Sequence, residues 1–297
     1  MDSSLQKPVF SNAALLLVAF VWGVGFVPQR LAMEYFDPAA FNALRFAIGA
    51  AVLIPVILFN SQGSFSVFRS RSTLLPGLLL GGLIFAGALF QQISIQYTSL
   101  ANVAFITGLY VIVVPVIGFF LGYSYRLIVW LGGVLAVAGL YLMTRVGASS
   151  ATSLYGDVFA MIGAVFWALQ LLVLAKLGGR GNQLILAFYQ FLFCAVFSLV
   201  FALGLEERIL PLVAEAYLWP AVNGVIVVGF AYTLQVVVMQ YAEPFSAALI
   251  FSLEAVFGAL AGYFVFSEQL GLAAMLGAAM MLLGCVLAQL PGAEPQS

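Results

Sequence analysis

Among the polar side chains inside apolar stretches of this 297-residue chain, four are candidates for chemistry: Arg45, Gln91, Gln235 and Glu254. Amides and charges in hydrocarbon are costly unless they face protein or water. Glu254 is the only carboxylate placed deep in an apolar run, which makes it a candidate protonation site; a glutamate that fixes helix packing by hydrogen bonds is the competing reading. Arg45 fits a substrate or gate contact, or a side chain that reaches out to headgroups or helix-end carbonyls. Each glutamine can donate and accept, which suits both ends of a zwitterion, although interhelical bonding alone would also explain it. Trp22 and Trp167, with Phe85, Phe90, Phe105, Tyr110 and Tyr232, could line an apolar cavity whose ring faces hold an aromatic or aliphatic group or an ammonium. No histidine is present. Ser-His and Cys-His nucleophiles, HExxH zinc sites and histidine proton relays are therefore excluded. Cys194 and Cys285 lie in apolar runs and read as packing residues. No metal or cofactor is expected.

The elements that must position these groups are membrane helices. The chain is 64% hydrophobic and 7% charged, with mean hydropathy +1.15, against about 25% charged residues in a soluble domain. Its net charge of -1 argues against nucleic-acid partners. A spanning helix needs about 20 mostly apolar residues. Ten stretches fit: Asn12–Met33, Ala39–Phe59, Leu74–Gln96, Ala101–Leu121, Leu127–Thr144, Leu154–Ala175, Leu184–Leu203, Leu218–Tyr241, Phe245–Phe266 and Leu270–Leu290. Met1–Ser11 and Pro291–Ser297 read as polar, poorly ordered ends.

The chain also repeats itself. Gln91 and Gln235, Gln96 and Gln240, and Tyr97 and Tyr241 are each 144 apart; Trp22 and Trp167, Arg45 and Gln190, Gly132 and Gly277, and Gly139 and Gly284 are each 145 apart. Glu254 stands opposite Tyr110. Two units follow, 1–150 and 151–297, each of five helices. An odd number inverts the second copy in the membrane, the pattern of secondary transporters. The expected fold is therefore an all-α membrane protein of ten transmembrane helices, two five-helix inverted repeats around a central cavity.

The positive-inside rule supplies an orientation. Cytoplasmic termini put Lys7, Arg69, Arg71, Arg126, Lys176 and Arg180 on one side and Arg30, Arg145 and Arg208 on the other, six against three. The turn near Thr98 then faces out and its echo near Glu243 faces in, as two gates on one path would. Asp157 and Glu268 lie near helix ends. Trp130 and Trp219 read as interface anchors. Gly77-xxx-Gly81, Gly118-xxx-Gly122 and Gly258-xxx-Gly262 allow close helix approach within the molecule or along a dimer seam, so monomer and homodimer both stay open. Gly25, Pro28 and Pro115 interrupt helices and are candidate hinges, or plain kinks.

Three runs, Val-Trp-Gly-Val-Gly-Phe from Val21, Asn-Ala-Leu-Arg-Phe from Asn42 and Gly-Ala-Ala-Met-Met-Leu-Leu-Gly from Gly277, together with the apolar run to Pro115, resemble the EamA-type members of the drug/metabolite transporter superfamily. Among these the chain is most similar to the YddG-like bacterial exporters of aromatic amino acids. The resemblance implies a multi-pass carrier of the bacterial inner membrane with a central cavity, and places Arg45 and Glu254 where family members often carry these residue types. Ala259, not proline, stands opposite Pro115. The expected cargo is a small neutral or zwitterionic substrate, chiefly aromatic and other neutral amino acids, moved by alternating access. A nucleotide-sugar or phosphometabolite antiporter on the same fold is the alternative, but it would want several Lys or Arg in the path. An intramembrane enzyme is a further one, without a GxSG or GxGD motif to support it.

Overall fold

The computed structural model describes residues 3–69, 71–98, 100–120, 122, 126–145, 153–177, 179, 181–266 and 271–288. Arg180, Glu268 and the tail Pro291–Ser297, and the side chains of Lys7 and Arg145, lie outside the described residues. Ten apolar segments follow in order. They are α1 (Ser3–Ala32), α2 (Pro38–Asn60), α3 (Arg71–Tyr97), α4 (Leu100–Gly108 and Tyr110–Phe120) and α5 (Leu127–Arg145), then α6 (Leu154–Leu177), α7 (Gln183–Leu205), α8 (Leu218–Tyr241), α9 (Pro244–Ser252 and Glu254–Phe266) and α10 (Leu272–Ala288). Eight are long and apolar enough to cross a membrane; α5 and α10 contribute shorter apolar helices. The helix α1 starts at Ser3 rather than Asn12, because extending a helix already nucleated costs little even through polar residues.

Two pairs of equivalent helices, α5 with α10 and α2 with α7, pack antiparallel. A Cβ added at Gly139 of α5 would meet the Gly277 carbonyl at 2.5 Å, and one at Gly284 of α10 would meet the Gly132 carbonyl at 2.5 Å. The register therefore runs backward along α10 as it advances along α5. The second helices do the same: Ala39 at the start of α2 meets Glu206 just beyond α7, while Phe46 lies beside Phe191 earlier in α7. Counterparts that run in opposite senses make the repeat an inverted one. Other close crossings also depend on absent side chains. Gly23 of α1 faces the Glu254 carbonyl of α9, and Gly77 and Gly81 of α3 face Tyr189 and Phe193 of α7. The Gly77-xxx-Gly81 face is thus occupied within the molecule.

Three spans are irregular. In α4 the break falls at Leu109, whose N–H donates to Ile106 O at 3.1 Å; in α9 it falls at Leu253, whose N–H donates to Ile250 O at 3.1 Å. The two leucines are 144 apart, so the break is repeated although the proline is not. Pro115 lies inside the second piece of α4, which corrects its expected place as the interruption. The tightened turn bypasses the Leu249 carbonyl, which accepts from Ser252 Oγ at 2.7 Å and Cys285 Sγ at 3.1 Å. Pro28 and Gly25 sit within the unbroken α1. In α8, residues Asn223–Tyr232 form π-helical turns, a feature frequent at functional sites.

At one end of the bundle the halves are tied by polar bonds. Glu206 accepts from the N–H groups of Ala39 and Ala40 at 2.7 and 2.8 Å, capping α2. Asp37 accepts from the backbone of Glu207 and Arg208 and pairs with the Arg208 guanidinium at 2.8 Å. Burial works to raise the Asp37 pKa, but these bonds outweigh it and hold the carboxyl below its ordinary value; burial dominates at Glu206 and raises it. At the other end the Tyr189 hydroxyl donates to the Phe68 carbonyl.

Candidate functional site

A cavity lies where both halves meet. Its wall takes Trp22, Phe26 and Gln29 from α1, Arg45 from α2, Gln91 from α3, Thr107 and Tyr110 from α4, Trp167, Gln170 and Leu171 from α6, Val227, Tyr232 and Gln235 from α8, and Phe251 and Glu254 from α9. Water-molecule centres can reach about 40 Å³ of it, room for about three waters. An amino acid would need the walls to part.

The aromatic part is built around Tyr232. Its ring lies 4.7 Å from Trp22 and 5.9 Å from Trp167, the second at an interplanar angle of 24°. Repeat-related tryptophans thus flank one tyrosine that has no aromatic counterpart 144 residues earlier, where Ala88 stands. Phe251 adds a ring 4.9 Å from Trp22. Gly87 leaves the room that the Trp167 indole occupies, since a Cβ there would meet the ring at 3.1 Å.

The amides pair within each half. Gln91 Nε2 donates to Thr107 Oγ1 at 3.3 Å, and Gln235 Nε2 donates to Gln170 Oε1 at 3.4 Å. Arg45 is 1% exposed, so the snorkelling reading is corrected: its head turns inward. Nε donates to Asn42 Oδ1 at 2.8 Å and Nη1 to Asn223 Oδ1 at 3.1 Å. Asn223 in turn donates to the Gly25 carbonyl at 3.2 Å. The guanidinium carbon lies 5.2 Å from the Phe41 ring centre and 4.9 Å from that of Phe46. Glu254, the first residue after the α9 break, meets Tyr110, the first after the α4 break; the two approach without closing a bond of good geometry. Several buried polar atoms of the wall have no protein partner: Arg45 Nη2, Trp22 Nε1, Trp167 Nε1, Gln170 Nε2, the Tyr110 hydroxyl, Gln29 Oε1, Gln235 Oε1 and Glu254 Oε1. Orphaned polar atoms are rare in protein interiors. Eight of the seventeen found among the described residues belong to this wall.

Trp22, Arg45, Gln91, Tyr110, Trp167, Tyr232, Gln235 and Glu254, singled out in the sequence, are thus brought together. Phe85, Phe90 and Phe105 are not. Phe85 packs on Phe197 and Phe201 of α7, Phe90 stacks on Phe159 and Phe166 of α6, and Phe105 lies against Tyr141 of α5. Each residue turns a helix by about 100°, so Phe90 beside Gln91, and Phe105 two positions from Thr107, present other faces. Gly25 touches the site through its carbonyl, whereas Pro28 and Pro115 are not in the cavity wall. Sequence reasoning missed Gln29, Gln170, Asn42 and Asn223. Gln29 and Phe26 share the helix face of Trp22, and Gln170 and Leu171 that of Trp167, so spacing from the tryptophans would have found them. The internal echo hides them, since Leu174 and Gly25 stand at the matching positions. Both cysteines are buried and free, Cys194 in α7 and Cys285 in α10.

The chain is 26% identical over 287 residues to an uncharacterized transporter of Archaeoglobus fulgidus, covering 96% of this chain and 87% of that one. It is 25% identical over 202 residues to the uncharacterized transporter YvbV of Bacillus subtilis, covering 66% and 64% of the two chains. A protein of known crystal structure shares the fold at a TM-score of 0.78 and 20% identity, over 94% of this chain and 96% of the other. The model of the EamA-like transporter family matches twice, over residues 10–145 and 154–290, one match to each half. The two matches together take in nearly the whole chain, both cavity walls included, and this protein is therefore a membrane transporter that belongs to the EamA-like transporter family.

Proposed function

We propose that this protein exports amino acids, aromatic and other neutral ones, and related small metabolites across the bacterial inner membrane by alternating access, with both termini cytoplasmic. The observation that carries the reading is the composition of the shared cavity. Ring faces of Trp22, Trp167, Tyr232 and Phe251 stand beside amides of Gln29, Gln91, Gln170 and Gln235, with one arginine and one carboxylate. Such a wall matches a small zwitterion with an apolar side chain. A phosphorylated cargo is less well served, because Arg45 is the one cation among the described residues of the wall. The narrow free space fits a closed state between the two openings. The orientation rests on the excess of Lys and Arg on the side of the termini.

Purified protein in liposomes tests this. Counterflow of phenylalanine, tryptophan, methionine or threonine is expected. No movement of any of the four, with stabilisation by a sugar phosphate in a thermal shift, would replace amino acids with phosphorylated cargo.

A further inference from the structure

Arg45 is the largest fully buried side chain of the described residues, and its charge is permanent. It forms no ion pair: among the described residues its bonds go to the neutral amide oxygens of Asn42 and Asn223. Those two bonds, with the rings of Phe41 and Phe46, fix the plane of the guanidinium. They leave Nη2 without a partner, in a side chain that belongs to the cavity wall. The carboxyl of the same cavity, Glu254, does not reach it. A buried cation held rigidly by neutral groups lacks a counter-charge, and a buried charge is tolerated when paired. Asparagine is one oxygen away from supplying that charge in aspartate, yet both holding residues are amides.

We propose that Arg45 is the anion anchor of the transport site and takes a carboxylate of the cargo through Nη2, so that the carboxylate is the required recognition element and the amine is not. The inference rests on the amino-acid reading for the cargo's size and apolar part, and goes beyond it in admitting carboxylates that lack an amine. Asn223 is a positioning residue: it holds the fork and ties it to the Gly25 carbonyl of α1. One free donor site matches a monocarboxylate; a phosphate would call for more cations. The unpartnered acceptors of the wall, Gln29 Oε1, Gln235 Oε1 and Glu254 Oε1, can receive an ammonium when the cargo has one.

The test is a binding series on the full chain in detergent, read by the fluorescence of Trp22 and Trp167. The ligands are 3-phenylpropionate, L-phenylalanine and 2-phenylethylamine. Both carboxylates are expected to bind, and the amine at least about tenfold more weakly, as for loss of one charge-assisted contact. Asn223→Asp supplies Arg45 with an internal counter-charge of nearly the same shape. It is expected to melt at the same or a higher temperature and to bind both carboxylates at least about tenfold more weakly. A structural role for Arg45 alone would leave that variant's binding intact. Arg45→Lys, which keeps the charge but loses the fork, is expected to fold and bind with an intermediate loss. Equal binding of 2-phenylethylamine and 3-phenylpropionate by the native chain, unaltered binding by Asn223→Asp, or no binding of either carboxylate overturns the anchor. If 3-phenylpropionate binds but no amino acid moves in liposomes, the exporter reading fails and the anchor stands. If amino acids move and the amine competes as well as the acid does, the anchor fails and the exporter reading stands.

Discussion

At the scale of single residues, two kinds of group face the cavity: rings that shape it and polar atoms without partners. Trp22 and Trp167 bracket Tyr232 from opposite halves. Ring pairing of this kind is worth about 0.5–1.5 kcal/mol beyond area burial. Trp22→Ala and Trp167→Ala are therefore each expected to raise the KM for an aromatic cargo about 2- to 10-fold while sparing a small one such as threonine; equal effects on both cargoes in liposome counterflow would show that the indoles serve packing alone. Glu254 and Tyr110 stand at the two repeated breaks. If Glu254 carries the coupling proton, Glu254→Gln flattens the pH dependence of flux, and Tyr110→Phe alters it without abolishing transport. An unchanged pH profile in Glu254→Gln removes the carboxyl from coupling.

At the scale of elements, the helices are held by what their crossings lack and by what their ends accept. Gly139→Ala would force a methyl to within 2.5 Å of the Gly277 carbonyl and 2.8 Å of Met280 Cβ. Overpacking of this sort costs about 1–3 kcal/mol, so a clear fall in melting temperature is expected. Gly204→Ala, near the end of α7 with nothing within 4 Å, should be neutral or gain up to about 1 kcal/mol from helix propensity. Equal melting of the two variants would mean that the α5–α10 seam is not close-packed. The capping carboxylates belong to this scale as well. Glu243 accepts from the N–H groups of Phe245 and Ser246 at 3.0 and 2.7 Å, and burial raises its pKa against those bonds. Loss of a cap costs about 1 kcal/mol, the expected penalty for Glu243→Ala in the melt.

At the scale of the whole molecule, the Asp37–Arg208 and Glu206–α2 bonds join the halves at the end that the proposed orientation puts outside. Asp37 is held below its ordinary pKa in the folded protein. Its contribution is therefore present above the unfolded value of about 4 and is lost as pH falls through the lower folded value. Glu206, held above its ordinary value, works in the opposite sense: its ionised form is disfavoured in the fold, so this term weakens stability as pH rises towards the folded value. Asp37→Asn is expected to cost about 1–2 kcal/mol at neutral pH, discounted because the pair is partly exposed, and to lose less against native as the solution is acidified. A melting difference that is the same at all pH values would deny the ion pair that role. The same bonds must part if the outer ends separate during transport. A cysteine pair, Asp37→Cys with Arg208→Cys, joined by a short thiol cross-linker, should arrest counterflow, and cleavage of the linker should restore it. Undiminished flux while cross-linked would mean that the path opens elsewhere.

The sequence by itself determined the spans, their number and their kinship. Burial in lipid is a local property of about 20 consecutive residues, and a duplication leaves matching residues at 144 and 145 positions. It also marked Trp22, Trp167, Gln91, Gln235, Arg45 and Glu254, because polar or repeated bulky groups stand out in an apolar background. Only the tertiary structure decided which way each helix turns. A helix apolar on every side carries no stripe that points to its neighbours, so Phe85, Phe90 and Phe105 could not be told from cavity residues until the packing of α6, α7 and α5 claimed them. The partners of Arg45 were equally out of reach: Asn42 is one turn away, but Asn223 lies 178 residues on, brought back by the crossing of α2 with α8. The place of the breaks, at Leu109 and Leu253 rather than at Pro115, came from backbone hydrogen bonding and, at Leu253, from a side-chain donor across helices, which no single stretch of chain encodes.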